Sequence, residues 1–186
     1  MVNKRFVFLR KKELISLIKR KKIKDSRGFF ERLYCEKEFA NILKNKNIKQ
    51  INRAYSKKKG TIRGLHYQIN GNYEEKIVTC VKGRVFDVIV DIRKKSKNFL
   101  KWYGKILDSK SNNSNFVPYG FAHGYQTLTS ECEMIYFHTD FYKKNKSKVI
   151  SCFDPSINIK WPIKKSTIIS KKDKKTRLIN NEFKGI

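Results

Sequence analysis

An arginine, a histidine and a glutamine fall close together in Gly60-Thr61-Ile62-Arg63-Gly64-Leu65-His66-Tyr67-Gln68. A guanidinium can grip an anion, an imidazole can move a proton near neutral pH, and an amide can orient either partner. The stretch is rich in β-branched, aromatic and glycine residues, so it reads as a strand entered through a turn at Gly60. On an ordinary strand one histidine is no more than a satisfied structural group. Flat alternation puts Gly64, His66 and Gln68 on one face and Arg63, Leu65 and Tyr67 on the other. Arg63 and His66 therefore share a cavity only if the strand bends or bulges, and Gly64 between them is where that costs least.

Two further histidines are present, His123 and His138. Pro118-Tyr119-Gly120-Phe121-Ala122-His123 resembles the second metal motif of the cupins, P-x-G-x-x-H. The first cupin motif supplies a His-x-His pair and a following Glu. Here the strand offers only His66-Tyr67-Gln68, and Glu74 and Glu75 come after a loop. A facial metal site needs three converging ligands, so the expectation is a cupin-like shell without metal.

What must position these groups is read from the rest of the chain. The 186 residues are enough for one domain with a real core, and a single domain over 1–186 is expected, with mobile basic ends at 1–24 and after Lys174. Lys and Arg number 44 against 16 Asp and Glu, a net charge of +28. Such an excess would suit a nucleic-acid binder. The lysines, however, run through the whole length beside Asn and Ile, and no helix-turn-helix, zinc-finger or RNA-recognition signature accompanies them. The reading is no nucleic acid, and a general attraction for anionic ligands. Cys35, Cys80, Cys132 and Cys152 form no C-x-x-C pair, which points to reduced thiols in the cytosol. The apolar run at 6–9 is too short for a signal-peptide core, and nothing approaches the ~18 apolar residues of a membrane span.

Residues 36–43 have helical spacing and form the one convincing helix, while Asp25-Ser26-Arg27-Gly28 is turn chemistry. Residues 13–18 are a short mixed segment, a strand or one helical turn. Residues 48–52, 76–82, 84–92, 102–107, 115–117, 125–129 and 133–138 read as short strands punctuated by Gly, Pro, Ser or Asn. Many short strands with turns every eight to twelve residues or so predict an all-β sandwich or barrel, the jelly roll among the main options.

Blocks in order and at suitable spacing carry a resemblance. They are Asp25-Ser26-Arg27-Gly28-Phe29-Phe30, Gly60 to Gln68, Lys76-Ile77-Val78-Thr79-Cys80-Val81-Lys82-Gly83, the run from Val85 to Arg93, Pro118 to Gly124, and Ile159-Lys160-Trp161-Pro162. Together they resemble the dTDP-4-dehydrorhamnose 3,5-epimerase family over about residues 24–173. The resemblance implies an all-β double-stranded β-helix (the cupin jelly roll) with short peripheral helices, usually a homodimer. It also implies cofactor-free inversion of C3 and/or C5 of a nucleotide-diphosphate 4-keto-6-deoxy sugar.

The chemistry suits the residues. A proton beside the keto group is acidic because the charge left behind spreads onto the C4 oxygen, and histidine is the natural base near neutral pH. By resemblance His66 is that base, Asp173 is its carboxylate partner and Lys76 stabilises the enolate oxygen. Tyr136 belongs to the catalytic wall and His123 is a second active-site histidine. Arg63 suits the sugar or a phosphate oxygen. Arg27 is the family's phosphate contact, which in a dimer would reach the neighbouring subunit's site. Gln50 and Asn52 line the nucleotide region, and Phe116 falls where an aromatic stacks on the base. Ungapped matching puts Phe141 where many members carry a proton-returning tyrosine, with Tyr142 one place later. Two other readings stay open: a 3,4-ketoisomerase on the same substrate class, and a non-catalytic jelly roll that binds nucleotide sugars. Solvent deuterium at C3 or C5 separates enzyme from binder, and the position of the product carbonyl separates epimerase from isomerase.

Overall fold

Side chains alternate faces along a strand, so a strand that is apolar on both faces must be covered on both sides. The middle of this chain is built of such strands. The computed structural model describes residues 6–11, 15–69, 74–165, 167–180 and 182–186. The elements run β1 (Phe6–Lys11), β2 (Ile15–Arg20), β3 (Lys22–Asp25), β4 (Gly28–Glu31), α1 (Glu36–Leu43), β5 (Gln50–Ser56), β6 (Thr61–Gln68) and β7 (Lys76–Lys82). They continue with β8 (Arg84–Asp91), β9 (Trp102–Asp108), β10 (Asn113–Val117), β11 (Phe121–Thr127), β12 (Cys132–His138), β13 (Ser147–Val149), β14 (Ile168–Ile169) and α2 (Lys171–Lys174).

Two sheets face each other, in the orders β1-β2-β10-β7-β12-β5 and β13-β6-β11-β8-β9; β14 adds to β6, and β3 and β4 form a separate hairpin. This is the expected jelly roll. One apolar cluster lies between the sheets, including Val78, Ile89, Leu107, Val117, Phe121 and Met134. The outer face of the second sheet buries Ile62, Leu65, Val88, Val90 and Ala122 under Ile150, Ile157 and Trp161. The outer face of the first buries Ile77, Phe116 and Phe137 under α1, whose Phe39 and Leu43 face inward. Burying one such side chain favours folding by about 1.5–3 kcal/mol, so this three-layered packing is what holds the cavity walls in place.

The helix at 36–43 and the strand at 76–82 form as expected. The strand expected at 48–52 begins and ends later, at β5. Of the mixed segment at 13–18, Glu13 and Leu14 lie outside the described residues and the remainder belongs to β2.

The basic ends, expected to be mobile, instead have partners over their described residues. β2 pairs with β10, and Ile18 is fully buried. At the other end Ile186 donates its backbone N–H to the Ile92 carbonyl at 2.8 Å, and Phe183 packs on the outer cluster. Each end carries an apolar residue among its lysines, and that residue finds an uncovered sheet edge or face.

Candidate active site

The strand β6 does bulge at Gly64. β6 pairs with β11 at His123↔His66 and again at Tyr125↔Arg63, with a register shift between, so that Gly64 and Leu65 together oppose Gly124. Gly64 has φ +122°, and a Cβ there would lie 2.6 Å from the Gly124 Cα. Only glycine fits so close a crossing. The extra residue re-phases the strand: Arg63 and His66 both face one cavity, while Ile62 and Leu65 both enter the outer apolar cluster.

That cavity, about 360 Å³, lies between the sheets. Strand parity decides its lining. Gln50 and Asn52 reach it from β5, Arg63 and His66 from β6, Lys76 from β7, His123 from β11 and Tyr136 from β12. These are seven of the residues singled out in the sequence.

Each histidine is backed by an acid. His66 Nε2 lies 3.0 Å from Asp173 Oδ1, and His123 Nε2 lies 2.7 Å from Asp87 Oδ2. His138 Nδ1 lies 2.8 Å from Glu74 Oε1. Among the described residues no group of three or more His, Cys, Asp or Glu side chains is placed to hold a metal ion.

Asp173 is delivered by α2, a single turn capped by Ser170, whose Oγ accepts the Asp173 backbone N–H at 3.1 Å. Burial pushes the Asp173 carboxyl pKa upward, but the His66 hydrogen bond and charge, the Ser170 hydroxyl and the Gly64 backbone outweigh it and hold it below the ordinary value. An ionised carboxylate only accepts, so Nε2 of His66 carries the proton and the lone pair is on Nδ1. The second pair is locked further: Asn115 Nδ2 donates to the other Asp87 oxygen at 2.8 Å.

The lowered Asp173 value has a testable sign. A group whose pKa is depressed by folding contributes stability above its unfolded value and loses it as pH falls through the folded value. Thermal unfolding of Asp173→Asn and the parent protein should therefore differ fully above about pH 4. The gap should close as the pH drops below that. A gap that widens toward acid would contradict the pairing.

Across the cavity stands a phenol. Tyr136 contacts the Tyr125 hydroxyl, and burial followed by that neighbour raises its pKa well above 10, so it stays a proton donor at neutral pH. The network continues from the Tyr125 hydroxyl to Ser56 Oγ at 3.3 Å and from there to Arg63 Nε at 3.2 Å.

Three expected site residues are placed elsewhere. Arg27 sits at the β3–β4 turn with its side chain 87% exposed, paired with Asp25 at 2.6 Å. It lies outside this chain's cavity because the hairpin projects from the sheets. Phe116 is buried among Ile77, Phe137 and Phe39, since parity on β10 turns Asn115 inward and Phe116 toward α1. Phe141 has left β12 by the time it is reached, and it is 55% exposed and outside the cavity lining. Its neighbour Tyr142 lines the cavity instead, because Gln50 Oε1 accepts the Tyr142 N–H and Gln68 Oε1 the Lys143 N–H, both at 3.0 Å.

Replacing Phe141 with Tyr should accordingly leave any proton-transfer rate within about twofold, as for other exposed positions. A larger gain would put residue 141 back in the site.

Glu74, Asp87, Tyr125, His138 and Lys172 belong to the site as well, although their places in the sequence do not mark them as such. Asp87, Tyr125 and His138 lie on segments read as strands (84–92, 125–129 and 133–138), so parity could have placed them. Glu74 and Lys172 had no local signal.

The jelly roll's cavity sets a carboxylate-backed histidine on one sheet opposite a phenol on the other, a pair of groups that can accept and donate protons. The comparisons narrow the class to one family. The family model described as dTDP-4-dehydrorhamnose 3,5-epimerase matches residues 13–181, and the chain belongs to that family of isomerases. A dTDP-4-dehydrorhamnose 3,5-epimerase of Shigella flexneri is 41% identical over 150 residues, 80% of this chain and 82% of the relative. The dTDP-6-deoxy-D-glucose-3,5-epimerase of Legionella pneumophila Philadelphia 1, solved with dTDP-4-keto-L-rhamnose, superposes with TM-score 0.88 at 33% identity, covering 93% of this chain and 92% of that one. The enzyme from Sulfolobus tokodaii gives 0.86 at 37%, with 94% and 96% covered.

Proposed function

We propose that this chain inverts C3, C5 or both in a dTDP-linked 4-keto-6-deoxyhexose, as a step of deoxysugar synthesis. The observation that carries the reading is the His66–Asp173 pair facing Tyr136 across one cavity. His66 takes the proton from carbon as Asp173 stabilises the resulting imidazolium. The electron pair moves onto the C4 oxygen, where the Lys76 ammonium offsets the charge. Tyr136 then donates its proton to the opposite face of the same carbon, which inverts it, and solvent restores both groups. The steps transfer protons only.

The diphosphate calls for cations at the cavity, and Arg63 and Lys172 supply them. Arg27 fits the same task from a partner subunit. The hairpin that carries it exposes Ile23, Phe29 and Phe30 at 40, 60 and 62%, an apolar group that a homodimer would cover. The four thiols are free, in keeping with a cytosolic enzyme, and no helix among the described residues is long and apolar enough to cross a membrane.

The test is NMR of a dTDP-4-keto-6-deoxyglucose incubated with the protein in D₂O. Deuterium at C3 or C5 with an inverted centre is the expected result. A product whose carbonyl has moved to C3 would favour the ketoisomerase, and binding without exchange would leave a binder.

A further inference from the structure

Glu74, at the entry to β7, has both oxygens engaged. Oε1 accepts from His138 Nδ1 at 2.8 Å, and Oε2 from Lys76 Nζ at 3.0 Å. The Glu74, His138 and Lys76 side chains are only 6, 11 and 12% exposed. The other ring nitrogen of His138, Nε2, is 3.3 Å from Asn52 Nδ2.

Burial pushes the Glu74 pKa up, but the His138 hydrogen bond and the Lys76 charge outweigh it and hold the group ionised. A carboxylate only accepts, so His138 must carry its proton on Nδ1. In the neutral ring its Nε2 is then an acceptor and takes an N–H from the Asn52 amide, whose carbonyl oxygen is left for the cavity. The tautomer of one histidine thus decides which end of Asn52 a ligand meets.

We propose that Glu74 and His138 are a positioning pair that couples the two ends of the cavity: Glu74 holds the Lys76 ammonium at one point, and His138 fixes the Asn52 amide in one orientation. The inference rests on the reading above, in which Lys76 meets the sugar and Asn52 the nucleotide. An ammonium on four methylenes is otherwise free among many rotamers, and misplacement by about 1 Å can cost up to 10²-fold in rate. An amide free to flip offers donor or acceptor alike and so discriminates poorly between bases.

Three variants separate the two jobs. Glu74→Gln keeps the shape but loses the charge that anchors Lys76. It should lower kcat about tenfold or more while KM stays within about twofold. His138→Asn places an amide near the former Nδ1, keeping Glu74 and abandoning Asn52. It should weaken dTDP binding about tenfold in calorimetry with kcat nearly unchanged. His138→Gln extends toward Asn52 and should restore most of that binding.

A purely structural role would move kcat and KM together in every variant, and that result would overturn the proposal. Long-range ¹⁵N–¹H NMR of His138 reads the same point without turnover. An Nδ1–H tautomer in the parent, kept in Glu74→Gln because the amide oxygen still accepts it, supports the proposal; an Nε2–H tautomer overturns it whether or not any sugar reacts. Failure of the epimerase reading would show differently, as absence of deuterium exchange by the parent protein.

Discussion

Replacing His66 with alanine is expected to abolish deuterium incorporation at both C3 and C5, by about 10²–10⁴-fold or more, the usual range for a positioned acid–base group. One base serves both carbons in this reading, so both signals should fall together. The protein should stay folded. The His66 side chain is 42% exposed, and Asp173 keeps hydrogen bonds from Ser170 and the Gly64 backbone. The loss in stability is that of one hydrogen-bonded contact, about 1–3 kcal/mol. Binding of dTDP should persist, because Arg63, Lys172, Gln50 and Asn52 are untouched. Undiminished exchange would end the assignment of His66. Exchange lost at one carbon only would show that a second base, with His123 the nearest in kind, serves the other.

Replacing Tyr136 with phenylalanine is expected to split what the first variant removes together. His66 still takes the proton, and the enolate can be reprotonated from the side it was drawn from. Exchange with retained configuration should therefore continue while inversion falls by about 10²–10⁴-fold. The ring stays and only the hydroxyl goes, so packing against His123 and His138, at centroid distances of 6.2 and 5.9 Å, is kept. The phenol is suited to the task because burial keeps it protonated and Tyr125 links it to the Ser56 and Arg63 network. Tyr67, Tyr125 and Tyr142 are the other phenols that line the cavity, and Tyr142 is the most exposed of them. If inversion survives in Tyr136→Phe and vanishes in Tyr142→Phe, the donor is Tyr142.

Much of the fold could be read from the chain because strand identity is local. β-branched and aromatic runs bounded by Gly, Pro, Ser and Asn marked the strands from β6 to β12, and 76–82 was placed to the residue. Lys76 and His123 were placed in the site by the resemblance alone, whereas strand parity located the point where β6 could bend, at Gly64. Phe116 and Phe141 show the limit. Matching by position carried a role onto each, but parity turns Phe116 toward α1, and the end of β12 releases Phe141 to solvent.

What the amino-acid sequence determined by itself was the central strands from β5 to β12, the all-β class, and the presence of a histidine, a lysine and an arginine on strands able to share a cavity. Partnership was decided only in three dimensions. Asp173 is 107 residues from His66 and sits among lysines; it becomes the partner of His66 because α2 docks beside the β6 bulge. Glu74 and His138, 64 residues apart, meet because β7 and β12 pair in a register that opposes Lys76 to His138. Propensity and periodicity act over a few residues. A carboxylate finds its histidine across the chain only when burial of three apolar layers sets the sheets against each other, and no local pattern encodes that distance.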